Sequence, residues 1–439
     1  MLLRFKAGLV CLSLLTLAAC DGGKGKAKQE GTGRPKSALP DFRYTTADIT
    51  GPAAPAAATA LPVDIYLDGT YSMQGFARPQ PTAFSRLLEG IEAVVQNAAS
   101  RSDLRFFKYG RSVAPLQRDA FVAARNSPAL WDDKNFRSET NFAQAVDSLK
   151  KDRISIFITD LFYSNADANK VVKAIQDKCF DNGVEMGLMG LKSDFDGYVA
   201  DVQPAVKVAG ERPLYLLIFG SKANINLILS AFRNQPYVQA GQALLLTRYP
   251  VRSFHATAKK SRGSNAINKS SERNQYTVGN DSIFAFTWNP AKGNQGEVSY
   301  RVSYEPEPYA LPVSADNLKP LIYRRDKAAA DSVPDDQSLR LLNTQVGNGK
   351  ITGTAQATLK LEDKQFSAYQ IVWQYDNNGR VELPRWVLDN STPEFSTSSP
   401  ESAKHKTLAL DNFVRSLAVS AATRFQPKYG KLYLVFSRH

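Results

Sequence analysis

The chain holds only three cysteines and three histidines in 439 residues. None of Cys11, Cys20, Cys179, His255, His405 and His439 stands beside another. Zinc sites gather such ligands at close spacing, so this composition argues against one. Apolar length is short as well: the N-terminal run covers 7–19, below the roughly 18–20 residues needed to cross a bilayer. Carboxylates are outnumbered, 42 Asp and Glu against 55 Lys and Arg, for a net charge of +13. What is present is ordinary globular material, 43% apolar and 22% charged, in a chain long enough for two or three hydrophobic cores.

Arg4 and Lys6 precede the apolar segment, and Leu17-Ala18-Ala19-Cys20 closes it. A short positive region, an apolar stretch and small residues at its end make a secretory signal. With a cysteine directly after Leu-Ala-Ala, the segment resembles the lipobox of bacterial lipoproteins. That resemblance implies a signal peptide over 1–19, cleavage before Cys20 and lipidation of its thiol. The competing readings are a plain signal with an incidental Cys20 and an uncleaved anchor. Asp21 follows, which in enterobacteria-like lipoproteins favours the periplasmic face of the inner membrane over the outer membrane. Residues 20–60 are polar and rich in Gly, Pro, Lys and Ala, which predicts a flexible basic tether suited to anionic headgroups or to open solvent. Loss of Arg4 and Lys6 lowers the net charge from +13 to +11. Cys179 is then the one free thiol, so no intrachain disulfide forms. Its helical surroundings predict a buried apolar residue.

From 61 to 243 apolar strands alternate with helical patterns. Residues 61–67 read as a buried strand that runs into Asp68-Gly69-Thr70-Tyr71-Ser72. Phe84, Leu87, Leu88, Ile91, Val94 and Val95 lie on one helical face, spaced as an amphipathic helix requires. A hairpin is expected around Gly110-Arg111, then a short helix at 142–149, a strand at 154–159 ending at Asp160, and a helix at 166–180. Strands at 184–191 and 213–220 and a helix at 224–232 complete the pattern. Such alternation predicts an α/β fold with a doubly wound, mostly parallel sheet. Ligands of such sheets sit at the carboxyl ends of the strands, where Asp68 and Asp160 stand.

Asp68-Gly69-Thr70-Tyr71-Ser72 resembles the D-x-[ST]-x-S metal-ion-dependent adhesion site (MIDAS) of von Willebrand factor A (vWA) domains. Thr140, ahead of a helix, resembles the lone threonine of that motif, and Asp160 its final aspartate. The resemblance spans about 180 residues. It implies that Thr70, Ser72 and Thr140 ligate a divalent cation directly while Asp68 and Asp160 act as carboxylate partners. Hard oxygen donors suit Mg²⁺, with Mn²⁺ or Ca²⁺ as substitutes, and an open position would accept a carboxylate from a protein partner. Three departures stand out: Thr70 replaces the usual serine, Leu161 follows Asp160 where glycine is common, and Glu139 precedes Thr140.

A strand-end Asp68 also resembles the start of a phosphohydrolase motif, but Thr70 stands where a second aspartate is needed. Metal nucleases of the PIN or NYN type cluster three or four carboxylates, whereas only Asp68 and Asp160 are well placed here; Asp64 lies too early in its strand. Without a general-base histidine the pattern argues against hydrolysis, so no catalytic residue and no small-molecule substrate is expected.

Beyond 243 the texture changes. The 248–275 stretch carries seven Lys and Arg against Glu272, which predicts a long solvated basic loop rather than a nucleic-acid site. Short β-like runs follow, then a helix over 407–425 and a terminal strand at 431–436. Residues 244–439 thus form a β-rich α+β domain of no recognised family. The sequence predicts an envelope-anchored lipoprotein whose vWA-like domain binds a protein partner through a cation. A metal-dependent hydrolase using Asp68 and Asp160, and a metal-free envelope scaffold, are the alternatives.

Overall fold

The computed structural model describes residues 37–38, 42–52, 61–98, 102–134, 141–161, 165–199, 204–239, 241–270, 276–278, 281, 283–326, 332–362, 365–377 and 381–438. The signal peptide, Cys20, Asp21, Glu139, Thr140 and most of the tether lie outside them. Of the described residues 42% are in strands and 29% in helices.

The first half builds a seven-stranded sheet. Its strands are β1 (Leu61–Asp68), β2 (Ser102–Tyr109), β3 (Val113–Leu116), β4 (Ile154–Thr159), β5 (Glu185–Val199), β6 (Val206–Gly220) and β7 (Ala243–Leu246). Their spatial order is β3-β2-β1-β4-β6-β5-β7. Only β1–β2 and β1–β4 are parallel pairs; β2–β3, β4–β6, β6–β5 and β5–β7 are antiparallel. The expected mostly parallel, doubly wound sheet is therefore corrected: the sheet is mixed, with an antiparallel majority. The cause lies between 191 and 213. The alternation Ser193, Phe195 inward against Asp194, Asp196 outward makes one continuous strand of 15 residues, and only residues 200–205 separate it from β6. A parallel return needs a crossover of a dozen residues or more, so β6 turns back as a hairpin and inserts between β4 and β5.

Helices cover both faces. On one, α1 (Ala83–Ala98) and, later in the chain, Lys222–Arg233 bury Leu87, Ile91, Val95, Ile225 and Leu229 against Ile65, Ile156 and Leu216. On the other lie α2 (Phe142–Asp147), α3 (Asn165–Lys178), which leads into buried Cys179, and a helix from near the C-terminus. Taking Lys222–Arg233 as α4, this last is α5 (Leu410–Phe425). Its Phe413, Val414, Leu417 and Ala421 share a core with Ile175, Leu217 and Leu244. Phe425 meets Phe180 edge-on at 5.3 Å, and Arg424 pairs with Asp181 at 2.9 Å. A helix from the 244–439 segment thus completes the 61–243 sheet, and β7 reaches past 243 into it.

The second half is a sandwich. Strands β8 (Val251–Lys260), β9 (Ile267–Lys269), β10 (Ile283–Trp288), β11 (Gln295–Pro306), β12 (Leu318–Asp326), β13 (Val333–Pro334), β14 (Leu339–Gly347), β15 (Lys350–Thr358), β16 (Phe366–Tyr375) and β17 (Lys428–Arg438) form two sheets. One runs β9-β10-β17-β16-β12-β13, the other β14-β15-β11-β8. Val298, Val302, Ile351 and Ala355 face Ile371, Trp373, Leu432 and Leu434 across a shared core. The long loop expected over 248–275 is corrected by β8, whose inward positions Phe254, Ala256 and Ala258 alternate with exposed His255, Thr257 and Lys259. Alanine inward gives a weak apolar signal, which hid the period of two. The stretch Asn377-Asn378-Gly379-Arg380, which reads as a hairpin turn in the sequence, falls mostly outside the described residues.

The tether shortens too. Residues 42–51 are folded against the sandwich: Phe42 packs on Tyr433 at 5.3 Å between ring centroids, and the short helix Ala47–Thr50 buries Ile49 completely. Among the described residues no helix is long and apolar enough to cross a membrane.

Candidate metal centre

Strand β1 runs parallel to both neighbours, so β1, β2 and β4 deliver their last residues to one end of the sheet. Register places Asp68 beside Tyr109 and Leu67 beside Ile158, which brings Thr159 and Asp160 next to Asp68. The chain then turns sharply. Gly69 N–H donates to Tyr109 O at 2.6 Å, and Met73 N–H to Thr70 O at 3.1 Å, opening the 3-10 turn Tyr71–Phe76. A Cβ at Gly69 would stand 2.6 Å from Lys108 Cε and 3.0 Å from Tyr109 O, so any larger residue here must displace the Lys108 side chain.

Asp68 is the hub. Its Oδ1 accepts from Thr70 N at 2.9 Å and Thr70 Oγ1 at 2.7 Å. Its Oδ2 accepts from Thr159 Oγ1 at 2.8 Å and Tyr109 OH at 3.4 Å, and its carbonyl takes Trp131 Nε1 at 2.9 Å. The Thr70 and Ser72 hydroxyl oxygens lie 3.3 Å apart. Asp68, Thr70, Ser72 and Asp160 are all buried. Burial, reinforced by the nearby charge of Asp160 and opposed by the Thr70 and Thr159 hydrogen bonds, pushes the Asp68 carboxyl up to about 6.

Leu161, directly after Asp160, adopts φ 51°, a left-handed conformation that costs a branched residue about 1–2 kcal/mol. Its side chain is buried at 3% exposure, and its N–H donates to Thr159 Oγ1 at 3.1 Å. Thr159 therefore serves the Asp68 carboxylate and the strained turn together.

Thr159, Tyr109 and Trp131 were not singled out by the sequence. For Thr159 the signal is a hydroxyl closing the apolar run Ile156-Phe157-Ile158, directly before Asp160. Asp64 is accounted for separately: it pairs with Arg105 at 2.6 Å and Arg153 at 2.7 Å. Thr140 lies outside the described residues, and the other four expected site residues, Asp68, Thr70, Ser72 and Asp160, stand at one end of the sheet.

The donors fit a small hard cation in type. Adjacent oxygens of an octahedral Mg²⁺ held at about 2.0–2.1 Å stand roughly 3 Å apart, near the Thr70–Ser72 spacing. Among the described residues no group of three or more His, Cys, Asp or Glu is placed to hold a metal. The candidate set has two carboxylates and relies on hydroxyls.

The far halves of β5 and β6 extend beyond the end of β4 and lie over the 3-10 turn. Phe195 meets Phe76 at 4.9 Å, and a Cβ on Gly197 would stand 2.8 Å from Gly75 Cα. This arm fixes the turn that carries Ser72. Arg212, 1% exposed, spans Phe195 and Phe395 at 5.0 and 5.6 Å.

Comparison with known proteins gives no match to the chain, whether among family models, curated proteins or solved structures.

Proposed function

We propose that the chain is an envelope lipoprotein, held by lipid on Cys20, that binds a divalent cation at Asp68, Thr70, Ser72, Thr140 and Asp160 and engages a protein partner through it. One observation carries the reading: Asp68 and Asp160 are buried close enough for the charge of one to raise the proton affinity of the other, with two hydroxyl oxygens alongside. Buried like charges are costly unless a proton or a cation neutralises them. Mg²⁺ would supply that charge, and an open position on it suits a partner's carboxylate. The resemblance supporting this is local to the motif and does not depend on a parallel sheet.

The experiment titrates Mg²⁺ and Mn²⁺ into the full-length protein. At about 100 times Kd a cation should stabilise the fold by about 3 kcal/mol, raising Tm, and Asp68→Ala should abolish the rise. Envelope proteins captured by the chain should be lost with EDTA and with Thr140→Ala, and Cys20→Ser should release the chain from membranes. Calorimetry without cation binding at millimolar metal sinks the reading. Metal-dependent phosphoester turnover, lost in Asp68→Asn, would assign a hydrolase instead.

A metal-free scaffold is the second reading. It is favoured by the Asp68 carboxylate, each of whose oxygens already receives two donors.

A further inference from the structure

A cleft of about 1160 Å³ opens at one end of the sandwich, far in sequence from Asp68. It lies where the end of β12 and the start of β16 face the start of β14 and the end of β15. Arg324 is its organiser. Nε and Nη2 donate to Asp326 Oδ2 at 3.1 and 2.6 Å, while Nη1 donates to Asp335 Oδ2 at 3.0 Å and Ser338 Oγ at 3.3 Å. Ser367 Oγ donates to Asp326 Oδ1 at 2.5 Å. Ser338 Oγ bonds both Asp335 Oδ2 and, at 3.0 Å, the buried hydroxyl of Tyr369. Backbone N–H groups of Gln337 and Ser338 donate to Asp335 Oδ1 at 3.0 and 2.9 Å. Burial alone would raise the Asp335 carboxyl, but Ser338, these amides and Arg324 outweigh it and hold it low.

The walls are thus charged, rigid and of both signs. Asp326 and Asp335 line the cleft with Arg324, Arg340 and Lys360, and the Asp326 side chain keeps 38% of its surface in solvent. Leu359 and Leu361 supply an apolar floor, with Phe366 at its edge. Each simple ligand class meets an obstacle. Polyanions face two carboxylates held in place, cations face the held Arg324 with exposed Arg340 and Lys360 beside it, and a wholly apolar ligand would strip water from all five. A neutral ligand dense in hydroxyls meets none of these. One of its O–H groups donates to Asp326 Oδ1, where Ser367 leaves room for a second donor, its oxygens accept from Arg340, Lys360 and Gln337, and its C–H faces rest on the floor. The volume exceeds the roughly 300–1,000 Å³ of ordinary small-molecule sites, which suits several linked units rather than one.

The geometry points to this cleft as a binding site for a segment of neutral glycan, independent of the cation site. The test applies the full-length protein to an array of neutral gluco-, manno-, galacto- and N-acetylglucosamine oligosaccharides, followed by calorimetry on any that bind. Saturable binding is expected, weakened about tenfold, or ~1.4 kcal/mol, by Arg340→Ala and by Asp326→Asn. It should persist in EDTA and in Thr70→Ala, which separates this site from the cation centre. Arg340 is exposed on β14, so its variant folds even if Asp326→Asn does not. Absence of binding across the array at about 1 mM, or binding indifferent to Arg340→Ala, overturns the assignment, as does retention of extended peptides in place of sugars.

Discussion

Gln370 and Tyr44, 326 positions apart, are joined through both ends of one side-chain amide. Tyr44 N–H donates to Gln370 Oε1 at 3.2 Å, and Gln370 Nε2 donates to Tyr44 O at 2.6 Å. Gln370 is fully buried, and its Nε2 also reaches Tyr433 OH at 3.0 Å. The N-terminal strap is therefore read by a single residue of β16 much as one strand reads another. Gln370→Ala should lower stability by about 2–6 kcal/mol, since two backbone groups lose their partners at about 1–3 kcal/mol for each group left unsatisfied. Urea denaturation of the full chain checks this, and a fragment starting at Leu61 should show a comparable loss. Equal stability of wild type and variant would place the strap outside the cooperative fold.

Asp68 sets a pH dependence with an unusual sign. Its carboxyl rises from 3.8 to about 6 on folding, chiefly through burial and then through the charge of Asp160. The folded state then holds a proton that the unfolded chain has released. Stability from this group is full below pH 4 and declines as pH climbs toward 6, by about 3 kcal/mol in total. Asp68→Asn should remove that decline and be more stable than wild type at pH 7 in EDTA. Denaturation of both chains between pH 4.5 and 7 measures the difference, and parallel curves would refute the raised carboxyl. Cation affinity should run the other way, strengthening as pH rises through 6 and the proton leaves.

Gly197→Ala tests the arm over the 3-10 turn. The new methyl would meet Gly75 Cα at 2.8 Å, backbone against backbone, where no side-chain rotation gives relief. Overpacking of this kind costs about 1–3 kcal/mol. Because the displaced turn carries Ser72, cation affinity should fall together with stability. A variant as stable as wild type with unchanged cation binding would show that the arm does not position the turn.

Much of the chain was readable wherever a strong period coincided with burial. Phe84, Leu87, Leu88, Ile91, Val94 and Val95 all enter the core, as their spacing requires, and β4 is buried along its whole length. Pairing direction was not readable, because it depends on the length of the link at 200–205 and not on the apolar pattern of β6 itself. Strand β8 was hidden by its small inward residues. At the candidate centre, Asp68, Thr70, Ser72 and Asp160 converge because two parallel neighbours end together. Thr159 and Tyr109 escaped notice because their role arises from cross-strand register, which one segment of sequence does not display.

The position of α5 bears on the order in which the molecule can be made. One face of the first sheet stays incomplete until residues 410–425 arrive, after every strand of the sandwich except β17 has been synthesised. Its partners Ile175, Leu217 and Leu244 wait for a helix more than 150 residues downstream. Contacts of such separation slow folding and delay closure of the core. A chain still emerging from the ribosome therefore lacks the last piece of its first layer, and folding of the two halves finishes as one late event.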